Sequence, residues 1–265
     1  MTDTTKRQIR EIAALQKAGV RREKKRFLIE GSLCVEEALH AGFPLEQVWL
    51  TAGFQESESG EHIQEVCRAN LVHMEQVPSR ILQRISSQEH SQGVLAVGKC
   101  REGSGEWANS DEDILIVIPR LSDPGNLGTI FRTAHAFDIA TIWVGDGAVD
   151  PWHPKVVRGS MGALFYLNIR RIPSVIDEML DLKQQGVDIW ALDSSGHTSP
   201  DALRRSAKTA IVLGHEAEGI PSDILDICHQ RIVLGRPGAG VGSLNVSVAA
   251  GILLFLCRFV LQPHS

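Results

Sequence analysis

Residues 113–119 read Asp-Ile-Leu-Ile-Val-Ile-Pro. An unbroken run of branched apolar residues, with no polar residue alternating, predicts a strand buried on both faces. Shorter runs of the same kind recur downstream in "TIWVG", "DIWAL", "TAIVLG" and "RIVLG". Helical patterns fall between them, at Leu127–Phe137 and Val175–Gln185. Strands and helices in alternation predict a parallel sheet covered by helices, an α/β fold. The first hundred residues alternate likewise. "FLIEG", "QVWLT", "LVHMEQV" and "GVLAVG" predict strands, with helices near Ser32–Ala41 and Glu61–Ala69. "KCREGSGEWANSDED" is rich in Gly, Ser and charge and lacks periodicity, which predicts a linker near residue 105.

The 265 residues suit one large or two smaller domains, and 43% hydrophobic content argues against disorder. No apolar run reaches the roughly 18 residues of a membrane span, and "MTDTTKRQIR" has no apolar signal segment. Five cysteines, odd in number and without a C-x-x-C pair, predict neither a disulfide framework nor a zinc site. They point to a reducing cytoplasm. Net charge is −5, unevenly spread. Nine Lys/Arg against three acidic residues give Met1–Arg26 a charge of +6, leaving −11 for the remainder. A basic arm on an acidic body suits a polyanion such as RNA; a solvated terminal helix accounts for the charge equally well.

Phosphate-loop chemistry is not supported. In "GRPGAGVGS" a G-x-G-x-x-G beginning at Gly238 meets Ser243, one beginning at Gly240 meets Asn245, and no P-loop lysine is present. Three other stretches concentrate polar residues at predicted strand ends. In "LSDPGNLGTIFRTAHAF", Asp123-Pro124-Gly125-Asn126 has type II turn composition, with Asn126 available to cap the next helix. On that helix Arg132 points away from the apolar face formed by Leu127, Ile130, Phe131, Ala134 and Phe137. In "IVLGHEAEGI" glycines flank Glu216 and Glu218, the pattern of a ligand loop or of a polar turn. In "GSLNVSVAAGILLF" Ser243, Asn245 and Ser247 stand at the mouth of an otherwise apolar helix, as caps or as a polar site. Each stretch follows a parallel strand, where ligands bind in open α/β sheets.

"DPGNLGTIFRTAHAF", "IVLGHEAEG" and "SLNVSVAAGILLF" resemble, in order and spacing, the three motifs of the SpoU (TrmH-like) RNA 2′-O-ribose methyltransferases of the SPOUT class. "RFLIEGSLCVEEALHAG" and "SQGVLAV" resemble the ribosomal-protein-like α/β substrate-binding domain that often precedes that catalytic domain. The basic arm over 1–26 and the linker over 101–112 fall outside the resemblance, which implies an RNA-binding domain over 27–100. A trefoil-knotted domain binding S-adenosylmethionine would then cover 113–265. It implies transfer of methyl to an RNA ribose, a homodimer joined through the C-terminal helix, and no metal. Carried over residue by residue, the catalytic set falls on Asn126, Arg132, Glu216, Ser243 and Asn245. The cofactor loops fall on Leu213, Gly214, Ile232–Leu234 and Ser243–Leu244. One departure stands out. Where the family has Ile-Pro-Met before the third motif, this chain has Ile232, Val233 and Leu234, followed by a longer glycine-rich stretch from Gly235 to Gly242. Ribosomal RNA is the expected substrate by family analogy, transfer RNA the alternative. A non-catalytic RNA-binding or assembly factor would not need the full polar set, and a nicotinamide oxidoreductase would need a glycine fingerprint that is missing.

Overall fold

The computed structural model describes residues 3–103, 107–235 and 244–261. In chain order the first elements are α1 (Asp3–Ala14), α2 (Ala18–Lys24), β1 (Arg26–Glu30), α3 (Ser32–His40), β2 (Leu45–Leu50), α4 (Ala52–Gln55), α5 (Glu58–Ala69), β3 (His73–Gln76), α6 (Ser79–Ile85) and β4 (Val94–Lys99). There follow β5 (Ile114–Leu121), α7 (Pro124–Ala136), β6 (Thr141–Ala148), α8 (Pro154–Gly159), β7 (Asn168–Ile172), α9 (Val175–Gln184) and β8 (Asp188–Leu192). The last are β9 (Thr209–Leu213), α10 (Ser222–Leu225), β10 (Gln230–Ile232) and α11 (Val246–Phe255). The chain divides into two compact units, 1–101 with 150–166, and 102–149 with 167–265.

The N-terminal unit holds a four-stranded sheet in the order β1-β4-β2-β3, antiparallel except for the parallel β2–β3 pair. One core cluster joins Leu28, Trp49, Leu95 and Val97 of the sheet to Leu82 and Ile85 of α6 and to Ile9, Ile12 and Leu15. The basic terminal segment is therefore not a free arm. Its apolar residues recur at helical spacing and seal the core, while Arg7 and Arg10 face solvent. Arg21 is fully buried. Its Nε donates to Asp150 Oδ2 at 2.7 Å, and Nη1 donates to the carbonyls of Leu15 and Gln16 at 2.9 and 2.8 Å. Those bonds supply what a charge removed from water requires.

Residues 150–166, expected within the second domain, belong to this unit. Trp152 packs on Phe27 and Phe43, and Phe165 on Phe43. No periodicity marks the segment, because its anchors are single aromatic residues rather than a stripe.

The C-terminal unit is a six-stranded, wholly parallel sheet in the order β10-β8-β9-β5-β6-β7. β9 is buried throughout, and β5 at every position but Arg120. β7, "NIRRI", was not legible beforehand because two arginines interrupt its apolar pattern. The segment expected as a linker is part of the fold. Gly103 donates its N–H to the Ile169 carbonyl at 2.8 Å, and Trp107 is buried in the core. From β5 the chain proceeds through α7 to β6 and β7 on one side, whereas β9 lies on β5's other side. The loops leaving β5 and β9 therefore face each other where strand order reverses, the place in an open α/β sheet where a crevice forms. Among the described residues no helix is long and apolar enough to cross a membrane.

Candidate active site

Glu216 sits in the loop after β9, with its carboxylate turned toward the loop after β5. It accepts from the Ser122 N–H at 3.3 Å, the Ser122 hydroxyl at 3.2 Å, the Asp123 N–H at 3.1 Å and Asn126 Nδ2 at 3.0 Å. A carboxylate only accepts, so Asn126 must offer its NH₂ there, and its Oδ1 is left to accept. That oxygen takes a bond from Asn245 Nδ2 at 3.0 Å. Asn245 Oδ1 in turn accepts from the Ser247 N–H at 2.9 Å, the Ser247 hydroxyl at 2.6 Å and the Val248 N–H at 3.4 Å, capping α11. Donors and acceptors thus run in one direction from α11 through α7 to the β9 loop. All three sequence motifs are joined by side chains.

Local chemistry explains each position. Asp123, not Asn126, caps α7: its carboxylate accepts from the Gly125 N–H at 2.7 Å, and Pro124 occupies the first helical turn. The expected type II turn is therefore absent, and Asn126, 8% exposed, is released for the network. His215 shapes the β9 loop. Its Nδ1 accepts from the N–H groups of Ala217 and Glu218 at 3.2 and 3.3 Å, and its backbone pairs with Gly219 in both directions. A Cβ on Gly214 would lie 2.7 Å from the Gly219 carbonyl carbon, so the loop closes only over glycine. Glu218 ties to Arg120 of β5 at 3.0 Å.

Partial burial raises the Glu216 pKa, but the Asn126 amide, then the backbone donors of Glu216, Asp123 and Ser122, outweigh it and hold the carboxyl at about 2. Glu216 is a fixed anion at neutral pH and does not serve as a proton donor there.

Beside this network lies a cavity of about 230 Å³. Gly214, Leu234 and Leu244 line it, together with Asp193, Ala249 and Glu216. Leu213 and Ile232 do not: both are fully buried in the sheet. Leu234, Leu244 and Ala249 give the cavity apolar surface beside the carboxylates of Asp193 and Glu216, a mixed lining that suits a ligand with an apolar part and a cationic group. Asp193, missed beforehand, holds Arg231 at 2.7 Å and brings a carboxylate to the cavity. Its position at the end of β8 was the available signal.

Arg132 stands apart. It is exposed on α7, six residues beyond Asn126 and so about 120° around the helix, and makes no hydrogen bond or ion pair with the other described residues. Glu216 holds Asn126 and not Arg132. Ser243 and residues 236–242 of the glycine-rich stretch lie outside the described residues. The grouping of potential metal ligands found among the described residues, Glu36, His40 and His62 of the N-terminal unit, shares no residue with this network.

A parallel sheet with three polar motifs converging at its strand ends defines an α/β protein with a ligand site in the crevice at those ends. Residues 113–255 match the SpoU rRNA Methylase family, and residues 6–96 match the MRM3-like substrate binding domain. The chain belongs to the SpoU rRNA methylase family. It is 27% identical to an uncharacterized tRNA/rRNA methyltransferase of Synechocystis over 97% of this chain and 93% of that protein. It is also 27% identical to the 23S rRNA (guanosine(2553)-2′-O)-methyltransferase RlmP of Bacillus subtilis, over 88% of each. An AdoMet-bound rRNA methyltransferase from Sinorhizobium meliloti shares the fold, with TM-score 0.82 and 24% identity over 99% of this chain and 98% of that one.

Proposed function

We propose that this chain transfers a methyl group from S-adenosylmethionine to a ribose 2′-oxygen of ribosomal RNA. The observation that carries the reading is the Glu216–Asn126–Asn245 chain of hydrogen bonds, which locks the three family motifs together beside the cavity. Gly214, Leu234 and Leu244 would hold the cofactor, with Leu213 and Ile232 setting the strand ends behind them. Bound there, S-adenosylmethionine supplies a methyl group already activated by its sulfonium. The remaining work is orientation of the ribose and removal of a weakly acidic proton. Transfer would break the sulfonium C–S bond and form the ribose C–O bond, the hydroxyl proton passing to solvent.

Arg132 is the free cation among the proposed site residues. A guanidinium stays protonated, so its role is to donate charge-assisted hydrogen bonds to the RNA phosphate and the reacting oxygen, not to act as a base. Asn126, Asn245 and Ser243 position the ribose and the loops, and Glu216 orients Asn126. We take the C-terminal unit to follow the family's trefoil knot, one of the rare exceptions to unknotted chains. A second copy of the chain would pack on α11, whose Val248, Ile252 and Phe255 are exposed. A cytoplasmic location is part of this proposal, supported by cysteines that form no disulfide.

The decisive experiment gives the enzyme labelled S-adenosylmethionine with separated, unmodified ribosomal and transfer RNA, then maps 2′-O-methyl groups. Label in ribosomal RNA is expected; label confined to transfer RNA would move the substrate, and label in neither would remove the activity. Arg132→Ala is expected to lower turnover at least a hundredfold while cofactor affinity stays within twofold. Near-normal turnover would rule the arginine out.

A further inference from the structure

The N-terminal unit contains a cleft of about 620 Å³ that the reaction above does not use. Thr51, Phe54, Ser79, Arg80, Gln83 and Gln92 line it, with small residues between them and no carboxylate. Acidic residues outnumber Lys and Arg in this chain by 32 to 27, so a carboxylate-free cleft holding a cation is a local reversal of the molecule's charge.

The sequence "SRILQRI" builds one wall. Ile81, Leu82 and Ile85 of α6 are buried, which turns Ser79, Arg80, Gln83 and Arg84 outward. Arg80 and Arg84 are neighbours four residues apart, both exposed, and among the described residues neither makes a hydrogen bond or ion pair. Like charges so spaced are mildly unfavourable for a helix unless an anion lies between or beside them.

The amides are already fixed in place. Gln83 Oε1 accepts from the Ser91 N–H at 3.1 Å, and its Nε2 donates to the Gln88 and Glu89 carbonyls at 3.1 and 2.6 Å. Gln92 Oε1 accepts from the Ser32 N–H at 3.1 Å. The Gln92 NH₂ is consequently presented as a pair of donors with no partner among the described residues. Gly93, at φ +88°, brings the loop close: a Cβ there would lie 2.8 Å from Thr51 Oγ1 and 2.9 Å from Phe54 Cβ. Phe54 itself is half-buried beside it.

An aromatic ring, an unpaired guanidinium and a fixed amide donor are the three contacts a splayed-out nucleotide offers partners for: base face, phosphate and base edge. We propose that this cleft holds one unpaired nucleotide of the RNA substrate. The base lies on Phe54, a phosphate meets Arg80, and the Gln92 amide donates to the base edge. The inference rests on the RNA-modifying reading.

The test is fluorescence anisotropy with a fluorescein-labelled, random-sequence single-stranded RNA of twelve nucleotides, across a series of KCl concentrations. Phe54→Leu is expected to weaken binding roughly tenfold. Arg80→Gln is expected to reduce the slope of log affinity against log salt by about 0.7. Arg80 is exposed, so its variant should keep the fold; equal thermal midpoints and unchanged S-adenosylmethionine affinity by calorimetry check both proteins. Should Phe54→Leu unfold, Gln92→Ala replaces it, with a loss of about threefold expected. Variants that bind RNA like the wild type, with an unaltered salt slope, overturn the cleft while leaving methylation intact. A wild-type protein that neither binds RNA nor methylates it overturns both readings. If a short poly-glutamate peptide competes equally well whether or not Phe54 is present, the cleft is a plain anion site and the nucleotide assignment fails.

Discussion

At the scale of single residues, Glu216 governs the site through what it accepts. Four donors converge on it, and they depress its folded pKa to about 2 although partial burial opposes them. Because the folded value lies below the ordinary carboxylate value near 4.5, this group contributes stability that is complete above that value. The contribution is lost as pH falls from there toward 2. Glu216→Gln should therefore flatten the decline of the thermal midpoint between pH 4.5 and 2, measured by circular dichroism. It should also lower the midpoint at pH 7, because glutamine keeps one acceptor oxygen: its NH₂ must face either the donors of Asn126 and Asp123 or the Ser122 N–H. Parallel acid profiles for the two proteins would show that the carboxylate is not held as described. His215 illustrates a role that spacing alone did not assign: it lacks metal partners, yet its ring nitrogen shapes the turn that presents Glu216.

At the scale of elements, α11 is the instructive case. Its composition is apolar nearly all round, which predicts burial in a core or an interface. Its first residues decide more. Asn245 caps the helix with its oxygen and reaches α7 with its nitrogen, so one side chain serves two elements. These two roles are separable. Asn245→Asp keeps the cap and loses the donor, placing a carboxylate against Asn126 Oδ1; Asn245→Ala loses both. The aspartate variant should be the more stable by about 1 kcal/mol, the usual worth of an N-cap, in chemical denaturation. Both should lose at least tenfold in methyl transfer. Full activity in the aspartate variant would show that the bond to Asn126 carries no function. α7 begins with the same economy, since Asp123 and Pro124 start the helix and free Asn126 for the site.

At the scale of the whole molecule, the outward face of α11 remains to be covered. Leu244, Val248, Ile252, Phe255 and Phe259 are 41% to 56% exposed, spaced three or four residues apart along one side. Phe255 and Phe259 also stack with Phe137 of the same unit, which extends the patch. A continuous apolar stripe of this kind marks a protein–protein contact, and a second copy of this chain is the partner proposed above. Ile252→Asp should convert a dimer to a monomer in sedimentation velocity at micromolar concentration. A variant that sediments like the wild type would place the dimer contact elsewhere.

The sequence by itself determined the parallel sheet and most of its strands, β7 excepted, because uninterrupted β-branched runs and helical stripes are local patterns whose burial follows from composition. It also marked Asn126, Glu216 and Asn245 through the resemblance of their motifs, since on their own each could equally be a cap or a polar turn. Only the tertiary structure decided which donor meets which acceptor. The direction of the Asn245–Asn126–Glu216 chain depends on residues 90 and 119 positions apart coming within 3.0 Å. It likewise decided that 150–166 belongs with the N-terminal unit and that the basic N-terminal segment is packed into that unit's core. Those placements rest on single aromatic anchors and on one ion pair, Arg21 with Asp150, spanning 129 residues. Long-range pairing of individual side chains leaves no periodic trace in a chain, so the fold had to be seen before the site could be assembled.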